Sequence, residues 1–230
     1  MPSIIVAIDG GAGSGKSTTA KGVARELNFF YLDTGAMYRA VTLKYIRCGG
    51  SEPLDMKLVQ EIIGSTHIDL VAHNDDNRVY LDGRDVTLDI RMPEVNKMVS
   101  PISAVREVRE WMVNLQRLVA RDKNVVCEGR DIGTVVFPHA QVKIFMYADL
   151  EVRAQRRVRE CAEKEIPATL DEVVENLKFR DNYDSGRKHS PLKKADDAIE
   201  VDTTLLSIEE EIALVRKIVL EKMSPTQSPS

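Results

Sequence analysis

The sequence predicts an α/β protein: a doubly wound, five-stranded parallel sheet carrying a small β-rich insertion and a helical lid. Three observations predict it. Short, β-branched apolar runs alternate with stretches of helical period. The first run and the first helical stretch are joined by a glycine-rich loop ending in Lys16-Ser17. Residues 67–90 interrupt the alternation with period-two, half-exposed segments joined by a polar turn.

Ile4 to Ile8 suits a strand buried on both faces. From Lys16 to Leu27 the period becomes helical, with Ala20, Val23, Ala24 and Leu27 on one side. Between them stands Gly10-x-x-x-x-Gly15-Lys16-Ser17, a strand–loop–helix phosphate-binding P-loop. Residues without Cβ let successive N–H groups face one anion, and the helix start adds its positive dipole end. Lys16 is placed to reach the β- and γ-phosphates, and the Ser17 hydroxyl to ligate Mg²⁺. A ligand-free glycine turn needs neither the strand before nor the helix after, so the pattern points to a nucleoside triphosphate.

Phe29–Leu32 is the next strand, followed by a helix from about Ala36 that stops at Gly49-Gly50. Leu58, Val59, Ile62 and Ile63 mark a short helix. Residues 67–71 and 78–81 alternate across the turn Asn74–Asn77. Pro93 and Pro101 read as a connection into a long helix from about Ala104 to Arg121. Asn124–Cys127, Val142–Tyr147 and Ala198–Val201 complete the sheet, and helices follow from about Leu150, from the capping box Thr169-x-x-Glu172, and from Ser207-x-x-Glu210. A single domain is expected over 1–223, with the insert at 64–93, an arginine-rich lid at 150–188 and a disordered tail at 224–230. Asp9, Asp33-Thr34 and Glu128-Arg130-Asp131 all follow strands, where ligands of such sheets bind, and are expected to converge on one cleft.

Composition narrows the function. The net charge is −4 with 30% charged residues, which disfavours nucleic acid as a partner. Cys48, Cys127 and Cys161 are far apart and form no C-x-x-C, so reduced thiols in a cytoplasmic protein are expected. No signal peptide and no membrane span are expected. The base-reading Asn-Lys-x-Asp of GTPases is missing, since Asn96-Lys97-Met98-Val99 lacks the Asp. Arginines are abundant instead. Arg153, Arg156 and Arg157 share a helix face, with Arg159 just beyond, a cluster that repels itself until an anion arrives. Arg180, Asp184 and Arg187 recur at i, i+4 and i+7, a spacing that, taken alone, surface ion pairs explain slightly better than a binding site.

Four motifs give the chain a resemblance to bacterial cytidylate kinases along nearly its whole length. They are Asp9-Gly10-x-x-Gly13-x-Gly15-Lys16, Leu32-Asp33-Thr34-Gly35-Ala36-Met37-Tyr38-Arg39, Glu128 through Pro138, and Arg180-Asp181-x-Tyr183-Asp184-Ser185-x-Arg187. Gly11 stands where that family often has Pro, and Thr34 where Ser is also common. The resemblance implies ATP-dependent phosphorylation of CMP and dCMP, with Mg²⁺, by a monomer. ATP would lie on Gly10, Gly11, Ala12, Gly13, Ser14, Gly15, Lys16, Ser17 and Thr18. The residues matching Thr34, Arg39 and Arg130 would hold the acceptor phosphate, and those matching Ser100, Arg109 and Asp131 would read cytosine. Arg180, Asp184 and Arg187 would hold sugar and phosphate, while Arg153 and Arg157 of the lid would meet the transition-state charge.

The residue chemistry is compatible: cytosine presents an amino donor to a carboxylate such as Asp131, where uracil presents a second acceptor. A phosphate monoester is largely dianionic at neutral pH and needs no general base. Two other readings remain at this point. A small-alcohol kinase similar to shikimate kinases would use Asp33 as base or hydroxyl anchor. A nucleotide-gated binding module would hydrolyse slowly and turn over no small acceptor.

Overall fold

Val6, Ala7 and Ile8 are almost fully excluded from solvent because their strand lies mid-sheet with helices on both faces. The computed structural model describes residues 3–73, 76–163 and 167–223. Along the chain run β1 (Ile5–Gly10), α1 (Lys16–Leu27), β2 (Phe30–Asp33), α2 (Thr34–Arg47), α3 (Met56–Ser65), β3 (Ile68–His73), β4 (Asp76–Leu81) and β5 (Arg84–Asp85). Then follow α4 (Pro93–Ala104), α5 (Arg106–Val119), β6 (Val125–Gly129), β7 (Val142–Tyr147), α6 (Leu150–Glu163), α7 (Leu170–Gly186), β8 (Ile199–Asp202) and α8 (Ile208–Met223). Asn74 and Asp75 of the expected turn, and the expected tail 224–230, lie outside the described residues.

The main sheet has the order β2-β6-β1-β7-β8 with parallel pairing throughout. Side chains alternate between faces. Ala7, Leu32, Val125 and Cys127 join a core with α2, α4 and α5, while Val6, Ile8, Val126 and Ile144 join one with α1 and α8. The period-two segments form a second, antiparallel sheet, β3-β4-β5. Both expected capping boxes are present: Thr169 with Glu172 opens α7, and Ser207 with Glu210 opens α8.

Two stretches depart from expectation. Helix α2 begins at Thr34, two residues early, because the Asp33 carboxylate accepts the Ala36 N–H at 2.8 Å and caps it. Pro93–Ala104, expected as a connection, is helix α4. Pro93 occupies its first turn, where no N–H is needed, and Pro101 falls in its last turn. Val95, Val99 and Ile102 bury one face of it, and that burial outweighs the proline penalty.

Candidate active site

The glycine-rich loop leaves β1 where no side chain fits. A Cβ at Gly10 would stand 2.2 Å from the Met146 carbonyl oxygen, a backbone atom of the neighbouring strand. Gly15 has φ +85° and caps α1 in the left-handed conformation. Lys16, the first residue of α1, is buried. Its Nζ donates to the Gly11 carbonyl at 3.2 Å and lies 3.7 Å from Glu128 Oε2. Burial, and then the Arg130 guanidinium, lower its pKa to about 8. Ser17 and Thr18 are exposed on the cleft wall.

The opposite wall is built at the ends of β2 and β6. Thr34 donates its hydroxyl to the Glu128 carbonyl at 2.7 Å, and Tyr31 Oη donates to Glu128 Oε1 at 2.9 Å. Arg39 reaches Asn96 Oδ1 from α2. Burial lowers the Arg39 pKa to about 9, with Arg180 adding to the effect. Arg180 is lowered to about 10 by burial and then Arg130, and its Nε has no hydrogen-bond partner among the described residues. Arg39 and Arg180, lowered by burial and by neighbouring guanidinium groups, are cations that a bound anion would stabilise.

Deeper in the cleft a charged chain runs from α5 to α7. Arg109 pairs with Asp131 Oδ2, donates to the Ser103 carbonyl at 2.9 Å, and lies over the Tyr38 ring at 5.3 Å. Arg187 lies 4.0 Å from Asp131 Oδ1 and 3.7 Å from Asp184 Oδ1, and Arg130 Nε donates to Asp184 Oδ2 at 2.8 Å. Ser100 is buried on the same wall, its carbonyl accepting from the Ser103 hydroxyl. Asp131 therefore gives one oxygen to Arg109 and keeps the other beyond hydrogen-bond range of Arg187.

The α6 arginines are less free than their spacing implies. Arg153 Nη1 donates to the Ala12 carbonyl at 3.1 Å and to Asp181 Oδ2 at 2.7 Å, which places it behind the phosphate loop. Arg156 donates to the Thr203 carbonyl at 2.7 Å and pairs with Glu211 at 2.9 Å, while Arg157 pairs with Glu160 at 2.6 Å. Asp181 and Glu211 come from α7 and α8, so the sequence of α6 alone does not reveal them. Arg156, Arg157 and Arg159 line the cleft.

Asp9 does not join its fellow strand-end carboxylates in the cleft. It accepts the Ile132 and Gly133 N–H groups, each at 2.7 Å. Those residues open a π-helical turn, Ile132–Val136, that sequence periodicity does not show. Tyr31, Tyr38 and Arg91 are cleft or cleft-supporting residues that sequence reasoning missed. Their one signal is position, beside Asp33 and Arg39 or at the exit of the insertion.

One cleft of about 650 Å³ carries ten cationic side chains against seven carboxylates, within a chain of net charge −4. Such a pocket draws in anions. No group of three or more His, Cys, Asp or Glu able to hold a metal alone occurs among the described residues. The Ser17 hydroxyl, exposed on the cleft wall beside the phosphate loop, instead fits Mg²⁺ held mainly by phosphates and water.

A family model described as "Cytidylate kinase" matches residues 6–221. The cytidylate kinase of Fusobacterium nucleatum subsp. nucleatum is 49% identical over 217 residues, covering 94% of this chain and 97% of that protein. That of Cytophaga hutchinsonii is 46% identical over 227 residues, covering 97% and 96%. Among solved structures, an uncharacterized protein from Eubacterium ventriosum shares the fold, with a TM-score of 0.52 at 14% identity over 96% of this chain and 99% of that one.

Proposed function

The chain belongs to the cytidylate kinase family, and we propose that it transfers the γ-phosphoryl group of ATP to CMP and dCMP in pyrimidine nucleotide metabolism. The observation that carries this reading is the single cleft joining a phosphate loop at Lys16 to Asp131, whose carboxylate has one oxygen left for an amino donor. ATP lies along Gly10–Thr18. The acceptor phosphate takes Thr34, Arg39 and Arg130; cytosine meets Ser100, Arg109 and Asp131; Arg180, Asp184 and Arg187 hold sugar and phosphate. Uracil would set a carbonyl against Asp131 and leave buried polar groups unpaired, a strong ground for rejection.

The work of catalysis is bringing anions together. Arg39, Arg130 and Arg180 neutralise and orient the acceptor, which is already a nucleophile, while Lys16 follows the charge that moves with the γ-phosphoryl group. Mg²⁺, bound with the nucleotide and held by the Ser17 hydroxyl, would supply charge neutralisation at the phosphate oxygens. Helices α6 and α7 form the lid over 150–188. Arg157, paired with the part-exposed Glu160, lines the cleft and can exchange that partner for a phosphate. Arg153 acts from the other side, stiffening the loop through the Ala12 carbonyl and Asp181. The protein is proposed as a cytoplasmic monomer without a nucleic-acid partner, a reading supported by its family, by free thiols at Cys48, Cys127 and Cys161, and by a net charge of −4. No helix among the described residues is long and apolar enough to cross a membrane.

ADP formation from Mg·ATP with CMP, dCMP, UMP, AMP and shikimate offered separately tests the reading. Fast turnover with CMP and much slower turnover with UMP is expected. No turnover with CMP would overturn the reading, and equal rates with CMP and UMP would remove Asp131 as the base reader. Arg187→Ala is expected to raise the KM for CMP by about tenfold or more with a smaller change in kcat, because a buried charged contact to the acceptor is lost. An unchanged KM would exclude Arg187 from the acceptor site.

The pH profile follows from Lys16. The cation is the useful form, and its pKa in the empty cleft is about 8. kcat/KM for ATP, which reports the free enzyme, should therefore fall as pH rises through 8. The bound triphosphate favours the cation, so kcat should hold to higher pH. A flat kcat/KM between pH 7 and about 9.5 would contradict this.

A further inference from the structure

We propose that Asp9 is a positioning residue for acceptor recognition: from the strand that carries the phosphate loop, its carboxylate holds the turn that presents Arg130 and Asp131. The inference rests on the CMP reading of that wall. Asp9 is 4% exposed and adjoins Gly10, the first residue of the phosphate loop. In the β1–β6 register it stands opposite Gly129, immediately before Arg130. Its two oxygens each accept one N–H, from Ile132 and from Gly133, at 2.7 Å.

These amides are the first donors of the π-helical turn, and Asp131, which precedes it, offers no side-chain cap. Donors at the start of a helical turn have no partner within it. Asp9 supplies both, so Asp131 follows a peptide plane fixed by β1. No salt bridge to Asp9 competes among the described residues. Lys143, whose stem packs near Gly133, donates its ammonium to the Pro138 carbonyl at 2.6 Å and pairs with Asp197. Burial raises the Asp9 pKa to about 6, and the two amides and Arg130 oppose the rise while Asp131 adds to it. The group is thus ionised at neutral pH and accepts at both oxygens, which an amide side chain cannot do.

Asp9→Asn places an NH₂ donor against one of the two N–H groups, displacing the turn without touching either substrate. The expected result is a KM for CMP raised by about tenfold to a hundredfold and a smaller CMP-over-UMP preference in kcat/KM, with the KM for ATP within about twofold of wild type. A general loss of structure would raise both KM values together and leave the preference alone. Either that pattern or an unchanged KM for CMP overturns the proposal. Asp9→Ser, which keeps one acceptor and imposes no donor, should show the same split to a smaller degree. If neither variant folds by circular dichroism, Asp9 is a folding residue and the positioning role is refuted. Wild-type turnover with CMP in the same assay separates failure of this inference from failure of the functional reading.

Discussion

Lys16→Ala lowers kcat by about a hundredfold to a thousandfold, the range seen when one preorganised donor to developing charge is removed. The size follows from where the ammonium sits. It is buried, held by the Gly11 carbonyl and near Glu128, in the same cleft as Arg39, Arg130 and Arg180. Its role differs from theirs, because it rises from the phosphate loop itself and can move with the transferred group. Single-turnover kinetics at saturating ATP and CMP separate this loss from weaker binding. A kcat within about tenfold of wild type would remove Lys16 from transition-state stabilisation. Stability should move the other way. A lysine whose pKa is lower in the folded protein than in the unfolded chain opposes folding at neutral pH. Tm therefore holds or rises in this variant, while Glu128 keeps its bond from Tyr31.

Asp131→Ala is expected to damage both recognition and folding. Arg109 and Asp131 have side-chain exposures of 4% and 5%, so deleting the carboxylate strands a buried guanidinium. Breaking such a pair from one side costs about 3–5 kcal/mol. For a chain of this size that lowers Tm by roughly 10 °C. The CMP-over-UMP preference in kcat/KM should fall by about tenfold to a hundredfold, since neither base then meets a selective partner. Differential scanning calorimetry without ligand and competition kinetics with both nucleotides read the two effects independently. A retained preference would assign base reading to Ser100 and Arg109 alone.

How far these groups were legible in the sequence depended on how local their partners are. The loop from Gly10 to Ser17 and helix α1 were readable because strand, glycines and helix are contiguous and each constrains the next. The capping boxes at Thr169 and Ser207 were readable for the same reason. Helix α4 was hidden because prolines at 93 and 101 signal a break to a local reading, while the burial of Val95, Val99 and Ile102 that sustains it comes from other elements. The partners of Arg153 and Arg156 are equally remote, at Asp181 and Glu211. Asp9 was readable as a strand-end carboxylate, but nothing near it in sequence announces that its oxygens face amides more than 120 residues away.

The strand order has a consequence for the accuracy of the reaction. The donor loop leaves β1 and the acceptor arm leaves β6, and these strands are direct neighbours in parallel register from Ile5↔Val125 to Asp9↔Gly129. The spacing of hydrogen-bonded strands, about 4.8 Å, is among the least variable lengths in a protein. The sheet thus works as a ruler for the roots of the two loops: the ends of β1 and β6, from which Gly10 and Arg130 lead, are held one backbone repeat apart.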